Sequence, residues 1–126
     1  MPKEIIGKVK MNYKISGNGE PAVLITGLGG DISFWNGMVP LLSDKYQVIT
    51  FDNRNTGHTE CPDEPFGIET LADDVVLLLD KLGIAKAHIL GWSMGGNIAQ
   101  EIALRHPEKI ASLTLVSTYM RRPSRS

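Results

Sequence analysis

Ser93 stands at the centre of Gly91-Trp92-Ser93-Met94-Gly95, directly after the apolar run Ala87-His88-Ile89-Leu90. An apolar strand that enters Gly-x-Ser-x-Gly and leaves as a helix is the setting in which a serine hydroxyl serves as a nucleophile. The turn from strand to helix is sharp. Side chains two residues either side of Ser93 would meet backbone, so Gly91 and Gly95 are the supporting positions. The same turn pushes the hydroxyl out past the end of the strand. It leaves the Met94 N–H free at a helix start, where it can donate to a developing negative charge.

A serine nucleophile needs an oxyanion hole, a general base and an acid that orients the base. Thr26-Gly27-Leu28-Gly29-Gly30 follows an apolar run ending at Ile25. A loop in that place supplies one backbone N–H and the residue after the nucleophile supplies the other. Leu28 and Met94 are the matching donors, with Gly27 supporting the turn. The glycine-rich stretch also has the outline of a dinucleotide loop, with Asp52 roughly 20 residues on. Against that, Ile32 occupies the place of the third glycine, and no Tyr is followed four residues later by Lys. A phosphate-binding P-loop is excluded because no Gly-Lys-Ser/Thr occurs.

The base is harder to find among the histidines His58, His88 and His106. His88 lies within the strand before Ser93 and belongs low on the sheet. His106 ends the helix that Ser93 begins, where a histidine usually partners the helix dipole. His58 sits in Asp52-Asn53-Arg54-Asn55-Thr56-Gly57-His58, a loop after a strand, and is the least remote of the three. Nothing in the sequence suggests a metal or an organic cofactor.

These residues need a scaffold of strands and helices. Ile5 to Ile15 reads as two short strands meeting near Gly7 or Lys10 and closed by Ser16-Gly17-Asn18-Gly19. Ala22 to Ile25, Tyr46 to Phe51 and His88 to Leu90 are apolar runs typical of strands buried on both faces. Phe34 to Leu42 reads as a short helix limited by Pro40. Asp52 to Pro65 is a loop. Leu71, Val75, Leu78 and Leu82 recur at helical spacing, so Glu69 to Leu82 is the clearest helix, with Gly83 as its stop. Its acids Glu69, Asp73 and Asp74 are expected to favour the helix dipole and face water. Met94 to Arg105 is a second helix, ended by His106-Pro107, and Ile110 to Ser117 is a last strand. Strands alternating with helices imply an α/β sheet with mostly parallel pairing.

The 126 residues suit one domain, and 13 basic against 14 acidic residues give no footprint for nucleic acid or a membrane surface. The single cysteine, Cys61, excludes an intrachain disulfide. The start of the sequence lacks the apolar core of a signal peptide, and no run is long enough to span a bilayer. The expectation is a cytoplasmic chain in which residues 1–118 form the domain and 119–126 a disordered basic tail.

Taken together, Leu24-Ile25-Thr26-Gly27-Leu28-Gly29-Gly30, Phe51 to His58, Leu71-Ala72-Asp73-Asp74-Val75 and Leu90 to Ala99 resemble the α/β-hydrolase superfamily. The likeness is to its 3-oxoadipate enol-lactonases and cofactor-free haloperoxidase-like esterases. Thr26 stands where a histidine usually precedes the oxyanion glycine, and Asn55 where a glycine follows Asp-x-Arg. The resemblance implies a strand order of 1-2-4-3-5-6 and a truncated core of about six strands. Relatives continue into a cap and two further strands that carry the acid and the histidine. It also implies a serine hydrolase acting on carboxylic esters or lactones without a cofactor, in which this chain lacks the acid and the base and by itself is weak or inactive. The alternative is a catalytically incomplete structural or binding module. The expected partners are a small ester or lactone substrate, a missing C-terminal half, or a second copy paired through strand 110–117.

Overall fold

A computed structural model describes residues 3–27 and 30–116 of the chain. Its sheet has six strands in the order β1-β2-β4-β3-β5-β6. They are β1 (Lys3–Ile6), β2 (Val9–Ser16), β3 (Glu20–Ile25), β4 (Tyr46–Phe51), β5 (Ala87–Trp92) and β6 (Ile110–Val116). The first two strands pair antiparallel, as do β2 and β4, and the remaining pairs are parallel. The order is the one implied by the resemblance. The tail at 119–126 and the end of strand 110–117 at Ser117 lie outside the described residues.

The hairpin between β1 and β2 turns at Gly7, whose φ of 56° suits glycine. The continuous apolar runs of β3, β4 and β5 occupy the middle of the sheet, where both faces are covered. On one face lie α2 (Ile68–Lys81) and α3 (Met94–Arg105). Leu71, Val75, Leu78 and Leu79 of α2 and Ile98 and Ile102 of α3 are buried against Val23, Ile25, Ile49 and Ile89. On the other face Trp35 packs with Leu24 and Val48.

Two expectations need correction. The single helix over Phe34 to Leu42 is a 3₁₀ turn at Ile32–Trp35 followed by α1 (Val39–Leu42). Asn36 and Met38 donate to the carbonyls of Ser33 and Trp35, three residues back, so the segment starts as tight turns. Pro40, which has no N–H to donate, sits in the first turn of a new helix. The second correction concerns Asp74, expected to face water. It is 2% exposed and grips Arg54, with Nε to Oδ2 at 2.8 Å and Nη2 to Oδ1 at 3.2 Å. Arg54 comes from the loop after β4, and a contact so distant in sequence leaves no periodic trace. Asp73, by contrast, lies near the surface and pairs with Arg105 and His106.

Candidate active site at the C-terminal ends of the strands

Strand β5 ends at Trp92 and α3 begins at Met94, so Ser93 is the only residue between them. Its backbone has φ 57° and ψ −124°, a sparsely populated positive-φ conformation that costs a residue with a β-carbon of order 1–3 kcal/mol. Two hydrogen bonds hold it there. The Ser93 N–H donates to the Val116 carbonyl at 3.0 Å, and the Gly96 N–H donates to the Ser93 carbonyl at 2.9 Å. The residue itself is half-buried.

The glycines explain how so sharp a turn closes. A β-carbon at Gly91 would fall on the Gly95 carbonyl, and one at Gly95 on the carbonyl oxygen of Ile25, the last residue of β3. The start of α3 is thus pressed directly against the end of β3. Gly27 belongs to the same contact, since a β-carbon there would lie 3.1 Å from Met94 Cβ and 3.6 Å from Met94 N. The Gly30 N–H closes a turn onto the Gly27 carbonyl at 3.3 Å. Leu28, the expected donor between them, lies outside the described residues. Phe34 forms one wall beside the turn, its ring centroid 4.7 Å from Trp92 and 5.0 Å from Trp35.

The three histidines are dispersed. His88 Nε2 and Nδ1 are bonded to Glu20 Oε1 at 2.8 Å and Ser112 Oγ at 2.7 Å, near the N-terminal ends of β3, β5 and β6. Ser93 lies five positions further along the chain, roughly 16 Å at about 3.3 Å per residue. His106 caps the far end of α3, roughly 20 Å away by helical rise. There it faces Asp73 at 3.2 Å and Glu108 at 3.8 Å. His58 is exposed, and its main-chain N–H donates to Asp52 Oδ2 at 2.9 Å. Among the described residues, no cluster of three His, Cys, Asp or Glu side chains could hold a metal ion.

The sequence reading overlooked a polar cluster at the end of β4. Asn12, Asp52 and Asn53 are 2%, 1% and 0% exposed. Asp52 accepts from Asn12 Nδ2 at 2.9 Å, from the Ile32 N–H at 2.8 Å and from His58. Asn53 Nδ2 donates to the Thr26 carbonyl at 3.0 Å. Thr59 joins them, its hydroxyl donating to the Asp52 carbonyl at 2.6 Å and accepting the Asn12 N–H at 2.9 Å. The sequence offered little cue, because Asn12 falls on a polar position of the alternating strand β2, and only Asp-Asn directly after an apolar strand hints at the cluster.

A family model described as the alpha/beta hydrolase fold matches residues 21–125. The chain belongs to the α/β-hydrolase family. An enol-lactonase from Burkholderia xenovorans LB400 superposes with a TM-score of 0.89 at 37% identity, over 93% of this chain and 46% of that one. The meta-cleavage product hydrolase CumD from Pseudomonas fluorescens IP01 gives a TM-score of 0.91 at 31% identity, over 98% and 47%. RutD of Azorhizobium caulinodans, a candidate carbamate hydrolase, is 36% identical over 96% of this chain and 46% of its own length. This α/β-hydrolase chain therefore spans about half the length of the relatives it matches. No helix among its described residues is long and apolar enough to cross a membrane.

Proposed function

We propose that this chain supplies the nucleophile and the oxyanion-binding half of a serine hydrolase acting on carboxylic ester or lactone bonds. The observation that carries the reading is the backbone of Ser93, held at positive φ between β5 and α3. Strain at a non-glycine residue persists only where the surroundings enforce it. Here the Val116 and Gly96 bonds and the packing of Gly91 and Gly95 do so. In this reading the Ser93 hydroxyl attacks the substrate carbonyl carbon while the Met94 and Leu28 N–H groups receive the charge on its oxygen. The acyl group passes to Ser93, the alcohol leaves, and water releases the acid. Relatives named for enol-lactone, meta-cleavage product and carbamate chemistry agree with attack at a carbonyl carbon, while the ester or lactone class follows the enol-lactonase.

His88 and His106 are bonded to other groups well away from Ser93, so neither serves as the base in this reading. His58, exposed on the loop after β4, is the described histidine that stays open as a base; otherwise the base and its acid come from outside the described residues, and the setting is cytoplasmic. A polypeptide of these 126 residues should therefore show at most slow, single-turnover acetyl transfer from p-nitrophenyl acetate. Peptide mass mapping should find the acetyl group on Ser93, and Ser93→Ala should abolish that adduct. Acetylation confined to lysines and indifferent to Ser93→Ala would count decisively against the assignment.

A further inference from the structure

Asp52 and Asn53 form a buried cluster at the end of β4, and two of its hydrogen bonds reach opposite ends of one loop. Asn53 Nδ2 holds the Thr26 carbonyl, where β3 stops. Asp52 Oδ1 holds the Ile32 N–H, where the 3₁₀ turn starts. Between those anchors lie residues 27–31, which include Gly27 against Met94. We propose that Asp52 and Asn53 are positioning residues that fix Thr26 and Ile32, the two ends of the β3 loop, keep Gly27 against Met94, and thereby support the oxyanion hole beside Ser93. The proposal rests on the nucleophile reading above and adds two residues to it.

The cluster is built more heavily than the end of a strand requires. Removing a carboxylate from water is costly unless donors replace the lost hydration, and Asp52 has three. Asn12 Nδ2 and the His58 N–H share Oδ2, which keeps the carboxylate from rotating while Oδ1 holds Ile32. Gly57 completes the seat, because at its φ of 54° a β-carbon would fall on the Asp52 carboxylate. The Asn53 amide has one workable orientation: the Thr26 carbonyl needs a donor, so Nδ2 faces it. Among the described residues, no donor reaches the buried Asn53 Oδ1. An unpaired acceptor of that kind is unfavourable, so the position is not one that packing alone would choose. Oxyanion stabilisation depends on donors that are already aimed before charge develops, so small displacements of this loop should weaken it.

The test replaces the missing base by changing the nucleophile. In the chain carrying Cys61→Ala and Ser93→Cys, the thiol ionises without a histidine, aided by the start of α3. Acetylation by p-nitrophenyl acetate forms a C–S bond and expels p-nitrophenolate through a tetrahedral oxyanion. Alkylation by iodoacetamide displaces iodide and forms no oxyanion. The ratio of the two rates therefore reports the oxyanion hole, while alkylation alone reports access to the thiol. In the parent protein that ratio should exceed the ratio for N-acetylcysteine by about tenfold or more, a smaller effect than the roughly hundred- to thousand-fold lost when one oxyanion donor is removed from an intact enzyme. Asn53→Asp, Asn53→Ala and Asp52→Asn should each lower it about tenfold while changing alkylation little. The three variants differ in severity, and the ratio is read on those that retain the circular dichroism of the parent. Ile6→Val, in a core position of the edge strand β1, should lower stability and leave the ratio alone. An unchanged ratio in folded Asp52 and Asn53 variants overturns the proposal and leaves the nucleophile reading standing. A parent ratio equal to that of N-acetylcysteine overturns the oxyanion-hole reading and this proposal together.

Discussion

Arg54 and Asp74 show how much one buried pair can depend on its partner. Burial raises the Asp74 carboxyl above its ordinary value, against the pull of the Arg54 guanidinium, while the hydrogen bonds to Asp74 raise Arg54. Phe66 lies 5.9 Å below the guanidinium and Glu64 approaches it at 3.8 Å, so the loop is fastened to α2 through one side chain. Arg54→Met should cost about 3–5 kcal/mol at neutral pH, because Asp74 must then be buried without a countercharge or take up a proton. The pH dependence has a definite sign. Without Arg54 the folded-state value of Asp74 rises further above that of the unfolded chain, so the folded variant holds a proton that the unfolded chain has released. Its stability is then greatest below the unfolded value and is lost as pH rises through the folded one. Urea unfolding of parent and variant at about pH 5 and about pH 8 should show the larger difference at the higher pH. An equal difference at both would mean that Asp74 is solvated once Arg54 is gone.

At the scale of elements, the site is made by the meeting of two segment ends. Strand β3 and helix α3 approach so closely at Ile25 and Gly95 that no β-carbon fits between them. Gly95→Ala should therefore cost about 1–3 kcal/mol or more, as overpacking of a tight contact does. Gly37→Ala is the matched control, since a β-carbon there would meet nothing within 4 Å. The measurement is thermal unfolding of both variants against the parent. Equal midpoints for the two would show that β3 and α3 can separate freely, contrary to the packing described. The same contact places Gly27 beside Met94, so disturbance at Gly95 should reach both expected oxyanion donors at once.

For the molecule as a whole, the sheet edge at β6 deserves a test of its own. Among the described residues β6 pairs only with β5, residues 111–114 of it are exposed, and Ile110–Val116 carries no charge and no proline. Edges of that kind are usually shortened, charged or bulged to prevent pairing. A polypeptide of these 126 residues should associate through this edge with a second copy, antiparallel across a two-fold axis. Sedimentation should show a mass that rises with concentration, reduced to that of a monomer by Leu113→Lys or Thr114→Pro. A monomer throughout would rule the edge out as an interface. The basis of what the sequence determined is local. Apolar runs of four to six residues can bury both faces of a strand, the 3.6-residue spacing of Leu71, Val75 and Leu78 needs a helix, and Gly-x-Ser-x-Gly between them needs the turn at Ser93. Those signals were sufficient for the class of fold and for the turn at Ser93, and the strand order came from resemblance. The tertiary structure alone decided what depends on chain segments far apart. It buried Asp74 under Arg54, split the segment 34–42 at its turn, and sent His88 and His106 to partners far from Ser93. It also gathered Asn12, Asp52 and Asn53 around the β3 loop. Hydrogen bonds between residues 20 to 40 positions apart obey no local period, so only the packed sheet could reveal them.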